Sequence, residues 1–196
     1  RQVQALLFKK SQLESIVGLF RIPVENMPLV RAQFAAFSKQ IPLLYFILCT
    51  NTLAAAWTFA PLAPAWLSIY LPSSLCAFCL VRCLWWWNNR HMVFDDAHVV
   101  KHTRNTAQLA AILTFAFTIW GLMLYPYGDP YAKGQVTFYM ALTVIGCVFC
   151  LMHLRPAALS VTLTANIPFI LFFFFEGHAS LRAISINLAL VSGAMI

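Results

Sequence analysis

Six apolar stretches, each long enough to cross a hydrocarbon layer as a helix, follow one another with only short polar connections between them. They cover residues 41–60, 65–87, 106–125, 135–152, 156–175 and 180–196. About 20 mainly apolar residues are needed per crossing, because lipid offers backbone N–H and C=O groups no partner and an α-helix bonds them within itself. Hydrophobic residues make up 61% of the 196 and charged residues 10%, against roughly half and a quarter in a soluble domain. An ordinary soluble enzyme is excluded. The fold class read from this pattern is an all-α integral membrane protein with six transmembrane helices, solvated by the lipid bilayer.

A net charge of +7 would point a soluble domain toward nucleic acid. Here the basic residues occupy short segments beside the apolar runs, so they read as topology signals and no nucleic-acid partner is expected. Arg1, Lys9, Lys10, Arg21, Arg31, Lys39, Arg82, Arg90, Lys101, Arg104 and Arg155 fall on one side, and only Lys133 and Arg182 on the other. The positive-inside rule then sets both termini in the cytoplasm. Trp85, Trp86 and Trp87 fall at the cytoplasmic interface, where indoles anchor, with Arg82 snorkelling beside them.

The first forty residues are expected to form a cytoplasmic helical segment. Leu6, Leu7, Leu13, Ile16, Val17 and Phe20 gather on one helical face opposite Lys9, Lys10 and Glu14, which suits the inner leaflet. Asn26 is placed to cap a second helix running toward the first span, with a bend expected at Pro42. None of the six apolar stretches reads as a cleaved signal peptide. The chain starts at Arg1 and stops inside an apolar run, so it is expected to be the ordered part of a longer protein. All six cysteines lie inside apolar runs and are expected to be reduced.

The run GLFRIPVENMPLVRAQFAAFSKQIPLLYFILCTNTLAAAWTFAPLAPAWL (residues 18–67), followed by LPSSLCAFCLVRCLWWW (71–87), resembles the amino-terminal membrane region of bacterial cyclic-di-GMP signalling proteins. In that group a six-helix membrane part joins a cytoplasmic GGDEF diguanylate cyclase domain, often with an EAL phosphodiesterase domain behind it. The resemblance implies a sensor or anchor module, a homodimer, and an output domain beyond Ile196 that would use GTP or cyclic-di-GMP with Mg. No GGDEF or EAL sequence stands in these residues, so the resemblance carries no catalytic residue here.

Several constellations are candidates for chemistry. Cys76, Cys79 and Cys83 line one stripe of span two, and Cys147 and Cys150 form an i, i+3 pair on span four. With His153, the residues Cys79, Cys83, Cys147 and Cys150 share the cytoplasmic half; they are candidates for a soft metal or for oxidation, with plain packing of small thiols as the expected role. His98 and His102 are spaced i, i+4 near His91, a pattern that can hold a metal or haem, or simply sit among headgroups. No cofactor is assigned. Asn51, Asn166 and Asn187 fall at mid-depth, where hydrocarbon penalises unpaired amides. They line a pocket for an unknown small ligand if their helices adjoin, with Ser160, Thr162 and Thr164 adding hydroxyls, and are otherwise interhelical glue. Outside, Tyr127, Asp129 and Tyr131 form a turn-rich loop facing Glu176, His178 and Arg182, a ligand-sensing surface or an interfacial anchor.

The reading is therefore a membrane input module of a cyclic-di-GMP enzyme, signalling by helix repacking through span six. A small transporter or channel is the competing class, opposed by the lack of an intramembrane Asp, Glu or Lys. A haem or metal redox sensor is the third.

Overall fold

A computed structural model describes residues 27–89, 96–176 and 179–196. The amphipathic segment expected over residues 1–20, the Asn26 cap, His91 and His178 lie outside the described residues. Among the described residues six α-helices follow in order: α1 (Met27–Phe59), α2 (Leu71–Asn88), α3 (Asp96–Leu124), α4 (Pro130–Leu151), α5 (Arg155–Glu176) and α6 (Ala179–Ala194). No strand occurs among the described residues. Five helical stretches are long and apolar enough to cross a membrane, α2 counting from Trp66, and α6 is apolar but only 16 residues long. Large side chains such as Phe46, Trp57, Leu84 and Phe175 stand exposed on the outside, the surface of a membrane-embedded protein.

α1 and α3 start ten or more residues before their apolar runs suggest. α1 begins at Met27 and continues through Pro42 without a break. Proline there removes the bond to the Ser38 carbonyl, but a buried seam of Val30, Phe34, Phe37, Ile41, Leu44 and Leu48 runs on both sides of it, and that packing holds the helix through the gap. α3 begins at Asp96, ten residues before the expected span.

The start of α2 shows how the sequence shapes the backbone. Trp66–Tyr70 is a π-helical turn, closed by the Leu71 N–H on the Trp66 carbonyl. In that wider register the next bond would run from residue 72 to the Leu67 carbonyl, yet residue 72 is proline and has no N–H. The Leu67 carbonyl is taken instead by the indole N–H of Trp120 on α3, at 2.8 Å. At the far end of α3, Tyr125–Tyr127 form a 3-10 turn and Asp129 caps α4 by accepting the Ala132 N–H at 2.7 Å, with Pro130 in the first turn.

α4 is the central helix: 56% of its apolar stretch is buried, against 28% for α2 at the periphery. It packs on α1, α3, α5 and α6, while α3 packs broadly on α5. Two glycines permit close approach. A Cβ at Gly146 of α4 would lie 2.9 Å from Ile47 Cγ2 on α1, and one at Gly121 of α3 would lie 2.9 Å from the Tyr139 ring on α4. Small residues at such notches are how apolar helices find mutual packing where lipid is as apolar as they are.

The core divides in two along the bundle axis. One cluster joins Ile41, Leu44 and Leu48 of α1 with Cys79 and Trp86 of α2, Phe117 of α3, Cys150 of α4 and Val161 of α5. The other joins Ala55, Phe59, Leu67, Trp120, Tyr139, Val144, Phe169, Phe173 and Leu188. Arg31, Lys39, Arg82, Lys101, Arg104 and Arg155 lie toward the first cluster's end, called here the basic end, and Lys133 and Arg182 lie toward the other, the tyrosine end. The three consecutive tryptophans do not share one role. Successive helical residues point about 100° apart, so Trp85 and Trp87 stay outside while Trp86 is 5% exposed and packs on Phe34 and Phe37.

Candidate functional site

Between the two apolar clusters, at mid-height, every central helix contributes buried polar side chains: Asn51 and Thr52 from α1, Thr114 and Thr118 from α3, Thr143 from α4, Thr162 and Asn166 from α5. Asn51 uses both hydrogens of its amide, donating to the Tyr139 carbonyl at 2.9 Å and to Thr143 Oγ1 at 2.8 Å. It thereby ties α1 to α4. Asn166 donates to Ser192 Oγ of α6 at 2.7 Å, and Ser192 donates onward to the Leu188 carbonyl. The second half of the Asn166 amide is different. Its Oδ1 is buried with no donor, and the hydroxyls of Thr52, Thr118 and Thr162 are also buried without partners. An unmet buried acceptor costs about 1–3 kcal/mol, so Asn166 is a group that gains by finding a donor.

The three amides do not converge. Asn51 pairs with α4, Asn166 with α6, and Asn187 is exposed on the outer face of α6. Thr164 turns its hydroxyl back onto the Ser160 and Val161 carbonyls of its own helix, and Ser160 does the same to Pro156. They supply no pocket. α5 passes through Pro168 unbroken, with the Thr164 carbonyl deprived of its helical N–H one turn before. The cavity between α1, α3 and α4, lined by Tyr45, Leu48, Thr106, Leu113, Thr114 and Cys147, holds about 20 Å³, room for a water molecule rather than an organic ligand.

The cysteines gather more widely than their spacing implies. Cys79, Cys147 and Cys150 share the basic-end cluster with Cys83 packed against it, as their stripes suggest, but Cys49 of α1 joins them: its thiol faces the Cys76 carbonyl at 3.9 Å. His153 lies in the turn between α4 and α5 with Nδ1 buried and unpartnered. Among the described residues no group of three or more His, Cys, Asp or Glu is arranged to hold a metal ion. His102 stacks on Trp85, centroids 5.7 Å apart at 28°. The side chain of His98 lies outside the described residues.

Arg82 lies near Tyr45 of α1, has its Nε buried, and places its guanidinium 5.4 Å from the Trp85 ring centroid. This cation is held inside the bundle edge rather than only snorkelling. At the tyrosine end, Tyr125 packs edge-on against Phe172 and Phe173, and Lys133 sits 4.8 Å over its ring. Tyr127, Tyr131 and Glu176 are exposed and Arg182 lies over Phe174; Asp129 is committed to its helix cap.

Sequence reading overlooked Tyr45, Cys49, Tyr139, Thr143 and Ser192. Ser192 had a signal: a hydroxyl deep in an apolar run is as conspicuous as an amide. Cys49 had none, being a single cysteine on its helix. No known protein family, curated protein or solved structure matches the chain.

Proposed function

We propose that this chain is the membrane input module of a cyclic-di-GMP signalling protein, with both termini cytoplasmic, working as a homodimer. Support comes from the resemblance over residues 18–67 and 71–87, and from the gathering of the basic residues at one end of the bundle. The single observation that carries the mechanism is the half-satisfied amide of Asn166 on the α5–α6 contact. An amide with one half bonded and the other unmet has a second packing within a few kcal/mol, the energy gap a two-state switch needs. α6 would connect to the proposed output domain, so a change in its seat on α5 would be passed to that domain. No catalytic step belongs to these residues.

Three experiments test this reading. Reporter fusions at Ala63, Asp95, Asp129 and His178 are expected to label outside, inside, outside and outside; an inside signal at Asp129 overturns the topology. In the full-length gene, the sequence after Ile196 is expected to encode a GGDEF or EAL domain. Asn166→Leu removes the bond to Ser192, an interaction of about 0.6–2 kcal/mol, and should shift basal cyclic-di-GMP output by about three- to thirty-fold. Unchanged output with normal expression removes Asn166 from the mechanism, and a downstream sequence with neither domain removes the function.

A further inference from the structure

Three cysteines gather where α1 packs on α2. Cys76 and Cys79 stand one turn apart on α2, and Cys49 comes to them from α1. The Cys49 Sγ lies 3.9 Å from the Cys76 carbonyl oxygen, and Cys49 packs against the buried cluster that holds Cys79. Cys79 is fully buried and Cys76 nearly so, while Cys49 is only half-buried and opens to the outer surface of the helix pair. All six cysteines are free thiols.

We propose that Cys49 and the Cys76/Cys79 pair form a thiol–disulfide couple that staples α1 to α2 when a lipid-dissolved quinone oxidises it. The step balances within the pair. Two S–H bonds break, one S–S bond forms, and the two protons and two electrons reduce the quinone to its hydroquinone. A charged oxidant has no path to thiols set in an apolar span, whereas a quinone partitions into the hydrocarbon that Cys49 faces. The two helices already pack on each other, so no new helix contact is needed for the sulfurs to close to a disulfide's separation. Cys76 and Cys79 supply two acceptors on consecutive turns, so the bond can form to either one and pass between them by attack at the Cys49 sulfur, with Cys49 kept in the bond. Cys147 lies beside Cys79 but on α4, and forms no part of the staple.

The test uses the whole chain in liposomes. After incubation with decylubiquinone under anaerobic conditions, the protein is denatured and its remaining thiols are counted by maleimide labelling. Two of the six thiols are expected to be lost and to return with dithiothreitol. Peptide mass spectrometry of the same unmodified sample should find the Cys49 peptide linked to the one carrying Cys76 and Cys79. Cys49→Ala, at a half-exposed position, should keep all five of its thiols. Six labelled thiols after quinone treatment overturn the proposal, as does a disulfide that omits Cys49 or a loss of two thiols that persists in Cys49→Ala.

Discussion

Trp120→Ala is expected to lower the stability of the bundle by about 3–5 kcal/mol, and Trp120→Phe by about 1–3 kcal/mol. The indole is 1% exposed and meets the Tyr139 ring edge-on at 5.4 Å. In a micelle or bilayer the transfer part of the alanine loss shrinks, because the surroundings are as apolar as the core. The cavity and the lost contacts remain. Phenylalanine fills most of that space and still strands the Leu67 carbonyl, which Pro72 has already deprived of a backbone donor. The origin of the loss can therefore be checked: Pro72→Ala restores an N–H at the missing place in the π register and should recover part of the Trp120→Phe deficit. Unfolding by sodium dodecyl sulfate in mixed micelles measures all three variants. If Trp120→Phe unfolds at the same detergent fraction as the parent, the carbonyl needs no partner and this account of the turn is wrong.

A second large effect is expected at the α1–α4 crossing. Gly146→Leu should destabilise the bundle by about 1–3 kcal/mol through overpacking alone, since even a Cβ would stand 2.9 Å from Ile47 Cγ2. That methyl is on a β-branched side chain and has little freedom to withdraw. Asn51 is one turn along α1 from Ile47, so separating the helices also opens its bonds to Tyr139 and Thr143, adding about 0.6–2 kcal/mol. The smaller change Gly146→Ala should be harmful in the parent and nearly neutral in an Ile47→Ala background. A coupling of about 1 kcal/mol or more between the two sites, read from the same titration, is the expected result. Simple additivity would show that the notch does not set the crossing.

These variants were not selectable from sequence, and the reason is physical. Apolar runs long enough to cross a membrane are plain in the chain, because backbone bonding in lipid permits few alternatives. Which face of each helix turns inward is not plain. In a soluble helix polar residues mark the outside, but here Phe46 is exposed and Phe37 buried, and nothing in their chemistry separates them. Asn166 and Asn187 are the same residue type at similar depth, yet one is bonded inside and the other faces out. The deciding fact is what the neighbouring helix offers, Ser192 in the first case, and helix pairing is a tertiary matter. A helix leading toward the first span was legible from Asn26 onward, but its union with that span into one helix through Pro42 was not, because it rests on the seam of side chains buried on both sides of the proline. The gathering of Cys79, Cys147 and Cys150 was legible because spacing and alternating helix direction suffice to place them together; Cys49 was invisible for want of any partner on its own helix.

The division of the core into two apolar clusters has a consequence for how the molecule comes apart. Dispersion contacts make each cluster an all-or-none unit, while the layer between them is tied by a handful of directional bonds with several groups left unmet. The bundle thus consists of two cooperative blocks stacked end to end, and local opening follows such boundaries. Either block can loosen while its neighbour keeps its shape. Each block carries its own buried indole, Trp86 at the basic end and Trp120 at the tyrosine end, so the molecule holds a built-in fluorescent witness to each half of its own melting.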